Sequence, residues 1–330
     1  MDDKKKNSYI LGSTTMGHPF PIIRVVLMVA ISMMAQPKDF PALTGPYLGQ
    51  TPPGRTPEIF APGILCSGCG EFNAAFSPDG NEFYFSQTNK EKRKDQIMVM
   101  RRVNNIWSKP EIASFSGRYD DCDVSISPNG EKLFFISIGR ILPRSNIPTK
   151  RNYMWYMGIT DEGWGKPQPL DYPGNSGGVY PVVTKNGTLY FSARLKDNFG
   201  KADVYRSQIV NGAYTEPENL GSDINSKFSE TDAYVSPDEG YLIVTCWERP
   251  ENFGGGKSDL YISFCKKDGS WTSLKNMGEL INTEYIEFCP MVSPDGKYFF
   301  FSSDRNDVNE CDIYWVDAQV IEDLKPNELS

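Results

Sequence analysis

The chain has 330 residues, enough for one large core or two ordinary domains. A hydrophobic content of 39% with 13% aromatics supports a packed core and excludes a disordered chain. A formal net charge of −8 and a pI near 5.0 lack the basic footprint of a nucleic-acid binder.

Residues 1–36 read as a targeting segment. Lys4, Lys5, Lys6 and Arg24 precede an apolar run over 25–35, shorter than the ~20 residues a spanning helix needs. Ala30, Ser32 and Ala35 supply small residues near a cleavage point, the pattern of a secretory signal. The expectation is export to the periplasm or the medium, with no membrane span in the mature chain; an uncleaved N-terminal anchor is the alternative. The only histidine, His18, falls inside this segment. A mature chain without histidine excludes Ser-His-Asp and Cys-His catalysis and His-ligated zinc. Seven cysteines lie beyond the segment. Cys66 and Cys69 form a C-x-x-C without a second pair at zinc-ribbon spacing, a weak metal signal. The odd count leaves at least one thiol unpaired, and Cys246, Cys265 and Cys311 read as free cysteines buried in strands.

One phrase then recurs. Ser77-Pro78-Asp79-Gly80 returns as Ser127-Pro128-Asn129-Gly130 and Ser293-Pro294-Asp295-Gly296, with a stretched copy at 236–240 and a worn one at 184–187. Self-similarity at a period of roughly 50 residues marks a propeller or solenoid. A short strand precedes each turn, at 73–77, 123–127, 180–184, 232–236 and 289–293. Proline presets φ, Asp or Asn tolerates the bend, and Gly accepts positive φ. The next strand is apolar at every position, as in Phe83-Tyr84-Phe85 and Phe299-Phe300-Phe301, and so is buried on both faces. A third strand opens with Asp in Asp203-Val204-Tyr205, Asp259-Leu260-Tyr261 and Asp312-Ile313-Tyr314; the Asp is expected to cap a loop. A fourth strand follows an aromatic-x-x-x-Pro theme at Trp107, Trp164 and Tyr214, with Trp271 keeping only the aromatic.

The fifth unit lacks its fourth strand, and Thr56-Pro57-Glu58-Ile59-Phe60 resembles the missing piece. The N-terminal segment is therefore expected to close the ring beside 312–316. The fold predicted is an all-β propeller of five four-stranded blades, or six if residues 37–65 build more than one strand. Its divisions are 1–36, the segment 37–65 with the closing strand, and the propeller 66–330. The Ser-Pro-Asp-Gly repeat with Phe-x-Ser after the second strand resembles the WD40-like repeats of the TolB-type β-propeller family, over about 66–316. The resemblance implies fold rather than function, since relatives include periplasmic scaffolds, peptidase-associated propellers and polysaccharide lyases. The separate N-terminal domain of that family has no room here, so a Tol–Pal role does not transfer.

Aligning the units on the turn exposes a second register. Glu71, Asp121, Gly178, Glu230 and Glu287 stand two residues before the first strand, and Asn73, Asp123, Tyr180, Asp232 and Cys289 follow two later. Positions two apart share a strand face, so an acidic collar is expected at one mouth of the channel. Crowded carboxylates raise pKa values or recruit a cation, Ca²⁺ or Mg²⁺ for oxygen-only ligands. Arg140, Arg194, Arg249 and Arg305 follow the second strands. They either staple neighbouring blades through collar carboxylates or form a cationic rim for anionic ligands. The long loop over 139–152 adds Arg144, Lys150 and Arg151. The glycine-rich stretch at 252–257 reads as a flexible turn, and Trp247 as an aromatic for stacking sugars or packing blades. The leading expectation is an exported, monomeric, non-catalytic propeller that binds a protein or glycan over its channel mouth. The alternatives are a glycoside hydrolase or uronate lyase using channel carboxylates, and a structural subunit of an envelope complex.

Overall fold

The computed structural model describes residues 40–65, 69–143, 148–172, 177–255, 257–307 and 310–329. Every turn in the repeat closes through one small network. In the first, the Ser77 hydroxyl accepts the Glu82 N–H at 2.9 Å and donates to Asp79 Oδ1, which also accepts the Asn81 N–H. Ser127 with Asn129, Ser236 with Asp238 and Ser293 with Asp295 repeat it, and Thr184 with Asn186 keeps the hydroxyl-to-side-chain bond. Gly80, Gly130, Gly187 and Gly296 take the positive φ each bend requires.

The turns join first and second strands of five antiparallel blades. The first blade holds Glu71–Phe76, Glu82–Asn89, Lys94–Val103 and outer Glu111–Ile112. The second holds Asp120–Ile126, Lys132–Ile138, Tyr153–Thr160 and Gln168–Pro169. The third holds Val179–Val183, Leu189–Ala193, Asp203–Ser207 and Glu218–Asn219. The fourth holds Ser229–Val235, Tyr241–Trp247, Ser258–Phe264 and Lys275–Asn276. The fifth holds Glu287–Val292, Tyr298–Asp307 and Glu310–Asp317, with Glu58–Ile59 as its outer strand. First strands pack side by side around the ring, the fifth against the first.

The ring closes as the sequence suggested. Glu58 pairs with Trp315 and Ile59 with Tyr314, and the Phe60 N–H donates to Ile313 O at 2.7 Å. Phe60 is fully buried among Phe76, Phe83, Phe300 and Trp315, with ring centroids 5.0–6.2 Å apart. Joining the two ends of the sequence inside one blade removes an exposed edge.

The doubly apolar second strands are explained by the stacking of blades. Alternate residues serve different layers: Tyr84 packs with Val99, Val124 and Phe135, whereas Phe83 and Phe85 pack toward the fifth blade. Phe134 and Ile136 likewise pack with Leu189 and Phe191, opposite to Leu133 and Phe135. The outer strands differ in one detail from the expectation. Trp107, Trp164 and Tyr214 end short hairpins off the third strand, and the fourth strand begins only after the proline. Among the described residues no helix is long and apolar enough to cross a membrane.

Candidate functional site

The acids of the predicted collar do not line an open mouth. Glu71, Asp121, Glu230 and Glu287 are buried. Asp121 meets Arg140 Nη2 at 3.1 Å and accepts the Ser116 hydroxyl at 3.0 Å. Glu230 meets Arg249 Nη2 at 2.8 Å and accepts both the N–H and the hydroxyl of Ser226. Glu287 repeats this with Arg305 Nη2 at 3.0 Å, Thr283 N–H and hydroxyl, and the Ser303 hydroxyl. Burial pushes the Asp121 carboxyl above its usual range, opposed by Arg140 and by hydroxyl bonds.

Each pair forms within one blade, which corrects the expectation that the pair itself spans two. The link to the preceding blade comes from the same guanidinium nitrogen: Arg140 Nη2 also donates to Phe115 O and Arg305 Nη2 to Ile281 O. The guanidinium planes lie over aromatics of their own blades, Arg140 over Phe135 and Trp155, Arg249 over Tyr261, and Arg305 over Phe301 and Tyr314. The third blade departs from the pattern. A Cβ on Gly178 would stand 2.9 Å from both Met154 and Phe191, so no carboxylate fits there. Arg194 is correspondingly exposed, and among the described residues no ion pair forms to it.

Alternation fails because each first strand is bulged at the same register. Asn73, Asp123, Tyr180, Asp232 and Cys289 all have φ of 50–55°, and pairing to the second strand skips there in every blade. Asn and Asp adopt this left-handed conformation readily, whereas Tyr180 and Cys289 do so under strain. The bulges lock the ring centre. Asn73 Oδ1 accepts the Val124 N–H at 2.7 Å, Asp123 faces the Tyr180 N–H, and Asp232 faces the Cys289 N–H, so each side chain holds the next blade. The Asn73 and Asp123 N–H groups donate back to Ser302 and Ser86 of the preceding blades. Burial, then the charge of Asp232, pushes the Asp123 carboxyl well up; burial brings Asp232 to about 6. The charge of Asp232 therefore opposes ionisation of Asp123. Among the described residues no three His, Cys, Asp or Glu side chains gather to hold a metal. Asp121, Glu230 and Glu287, which the sequence offered to a cation, are met by guanidinium and hydroxyl groups instead.

Beyond the bulge ring, toward the Ser-Pro-Asp-Gly turns, the channel opens. A cavity of about 390 Å³ lies there, walled by Ala75, Val124, Val182, Val235 and Met291, with Tyr180 reaching it from the ring. Pro78, Pro128, Pro237 and Pro294 frame its mouth, and Lys185 stands at the third turn. Sequence reading missed this funnel because it looked only to the acidic end. The signal was present in the small and apolar residues that separate each bulge from its turn.

A second missed repeat stiffens the opposite face. Asn198-Phe199-Gly200 and Asn252-Phe253-Gly254 occupy one loop position in the third and fourth blades. The Phe199 and Phe253 N–H groups donate to Asp203 and Asp259, which confirms the loop-capping role expected of those acids. Asn252 Nδ2 donates to Cys246 O and Lys257 O, and Gly254 lies so close to the Glu284 backbone that a Cβ would stand 2.3 Å from it. The stretch read as a flexible turn is therefore pinned at Asn252, Phe253 and Gly254; Gly256 lies outside the described residues. The loop over 139–152 buries Arg140 and exposes Lys150 and Arg151, with Arg144 outside the described residues. Trp247 donates its indole N–H to the Thr231 hydroxyl. Cys69, Cys122, Cys246, Cys265, Cys289 and Cys311 are free; Cys246 is buried, Cys265 and Cys311 are half-buried, and Cys66 lies outside the described residues.

No family model matches this chain, and no curated protein does. Solved structures do. One is described as TolB from Agrobacterium tumefaciens, at 16% identity and TM-score 0.48, covering 76% of this chain and 78% of that one. Another is an α-L-arabinofuranosidase from Lactobacillus brevis, at 10% identity and TM-score 0.46, covering 75% and 90%. A third is the β-propeller domain of the Trilobed protease from Pyrococcus furiosus, at 14% identity and TM-score 0.37, covering 71% and 65%. This chain is a five-bladed β-propeller, and likenesses at these levels carry no activity over to it.

Proposed function

We propose that this chain is an exported, non-catalytic binding propeller whose ligand enters the funnel on the turn face. One observation carries the reading: Asp121, Glu230 and Glu287 at the opposite mouth are consumed by internal arginines, while the turn-face end of the channel is open and apolar. A cavity of this size falls in the range of small-ligand and side-chain pockets. The N-terminal segment, basic then apolar then small, supports delivery to the periplasm or the medium.

The test uses an uncharged apolar probe, N-phenyl-1-naphthylamine, whose fluorescence rises in dry sites. The protein should bind it, and Val182→Phe, which fills the funnel, should abolish the signal while the melt stays cooperative. No binding by the parent protein, or equal binding by parent and variant, overturns the reading.

One observation favours the hydrolytic alternative, namely the interacting carboxyls of Asp123 and Asp232. Such a pair could divide acid and base roles. Their engagement with backbone N–H groups of the next blade supports a structural role. Turnover of aryl glycosides or polyuronate that is lost in Asp123→Asn would restore the enzyme reading.

A further inference from the structure

The rim of the funnel sets no preference for either sign of charge, but its lining does. Around the turns acids and bases stand together: Arg101 pairs with Glu82 at 3.0 Å, Arg102 reaches Asn81 at the first turn, and Lys297 meets Asp295 at 3.2 Å. Inside, the lining is mainly aliphatic and aromatic. Ser125, Tyr180 and Ser293 direct their hydroxyls to Pro181 O, Pro290 O and Asp295. Among the described residues of the lining, Lys185 is the only charged one. The repeat sets its place. Four turns put proline at this position, Pro78, Pro128, Pro237 and Pro294, and the third turn puts Lys185 there. Proline has no N–H, whereas the Lys185 N–H donates to Pro237 O at 2.8 Å and ties the third turn to the fourth. The backbone of Lys185 is thereby fixed in the frame of the mouth, with the residue itself exposed. Among the described residues no ion pair forms to its ammonium. Asp238, in the next turn, lies within its field: that carboxyl is held below the usual range first by the Ser236 hydroxyl, then by backbone N–H groups and the charge of Lys185. Asp238 Oδ1 is engaged within its own turn, by the Ser236 hydroxyl and the Gly240 N–H.

We propose that the funnel binds a medium-chain carboxylate amphiphile, its alkyl tail in the apolar cavity and its carboxylate at Lys185. The inference rests on the binding reading above and adds the head group of the ligand. The tail gains in proportion to the apolar area it removes from water. The single ammonium orients the head, as a lone placed polar group does in an otherwise apolar site. The four prolines of the frame offer a carboxylate no N–H, so the third turn is the point on the frame that attracts it.

Displacement of N-phenyl-1-naphthylamine from the full chain tests it, with decanoate, decylammonium and decanol each below its micellar or solubility limit at neutral pH. Decanoate should displace the probe at lower concentration than decylammonium. Octanoate should bind roughly tenfold more weakly than decanoate, through the loss of two buried CH₂ groups. In Lys185→Met the ratio of decanoate to decanol affinity should fall about two- to five-fold, the worth of one exposed ion pair. Lys185→Glu should reverse the order of decanoate and decylammonium. Equal displacement by decylammonium, or an unchanged ratio in Lys185→Met, overturns the proposal yet leaves the funnel as a ligand site. Octanoate as strong as decanoate also overturns it, because the tail would then lie outside the cavity. Failure of the probe itself removes the reading beneath it. Displacement by a short peptide ending in a free phenylalanine carboxylate, but not by decanoate, would assign the site to a protein C-terminus and overturn the amphiphile.

Discussion

Arg305→Ala is expected to destabilise the protein by about 3 kcal/mol. The substitution removes the guanidinium 3.0 Å from a Glu287 carboxylate that has no solvent exposure. Breaking one partner of a buried pair costs about 3–5 kcal/mol, because a charge is left without its counter-ion. The low end applies, since Glu287 keeps Thr283 N–H and the hydroxyls of Thr283 and Ser303. At about 2–4 °C per kcal/mol for a large domain, the melting temperature should fall by roughly 6–12 °C. Glu287→Gln should cost less, and the double variant should recover part of the loss. A coupling energy of about 1–3 kcal/mol is expected from the cycle, as for directly bonded neighbours. Arg194→Ala is the internal control, exposed at the same register, and should shift stability by no more than ~0.5 kcal/mol. Denaturant unfolding with equal m-values measures all four. A loss below ~1 kcal/mol in Arg305→Ala, or simple additivity with Glu287→Gln, would refute the view that this pair is a buried clamp.

Other outcomes follow from the same geometry. Asp232 has its carboxyl raised by burial from near 3.8 to about 6, so the folded state holds that proton more tightly than the unfolded state. Its stabilising contribution is complete below pH ~4 and is lost as pH rises through about 6. Asp232→Asn should therefore match the parent at pH 4 and exceed it at pH 7.5 by up to about 3 kcal/mol, two units at 1.36 kcal/mol each; parallel pH–stability curves would contradict this. Phe60→Ala should cost about 3–5 kcal/mol and expose the first and fifth blades to early hydrogen exchange, which uniform exchange would rule out. Asn252→Ala removes side-chain bonds to Cys246 O, Lys257 O and Tyr261. Limited proteolysis should then cut within 248–257, a region that resists cleavage in the parent; no new cut would mean the loop was mobile from the start.

The fold was legible because its determinants are local and repeated. A hydroxyl, a proline, a short polar side chain and a glycine close one turn, and five copies at one spacing require five hairpins. The closing strand was legible for the same reason: Glu58 and Ile59 carry the signature of the slot they fill. The site was less so. Counting by twos from Glu71 to Asn73, or from Glu230 to Asp232, assumes an unbroken pleat, and a left-handed bulge at the second position invalidates it. Nothing in a residue's identity announces that bulge at Tyr180 or Cys289. It becomes visible only as five equivalent positions in one ring. The Asn-Phe-Gly loops were hidden differently, because glycine suggests mobility when read alone and close packing when a neighbouring backbone lies 2.3 Å from its absent Cβ.

The third blade shows why the acidic register is structural. An arginine at this register lies folded inward only where its blade supplies the acid. In the third blade Gly178 has its side-chain space filled by Met154 and Phe191, and Arg194 turns to solvent. In the second, fourth and fifth blades the acid is buried and its arginine lies folded over aromatics. A carboxylate in such a cage is committed before any ligand arrives, since freeing it would leave two buried charges unpaired. The turn face carries the opposite logic. Its carboxylates Asp79, Asp238 and Asp295 hold their turns and remain exposed. Charge that holds blades together is buried at one pole, and the other pole carries exposed turn carboxylates outside an apolar funnel.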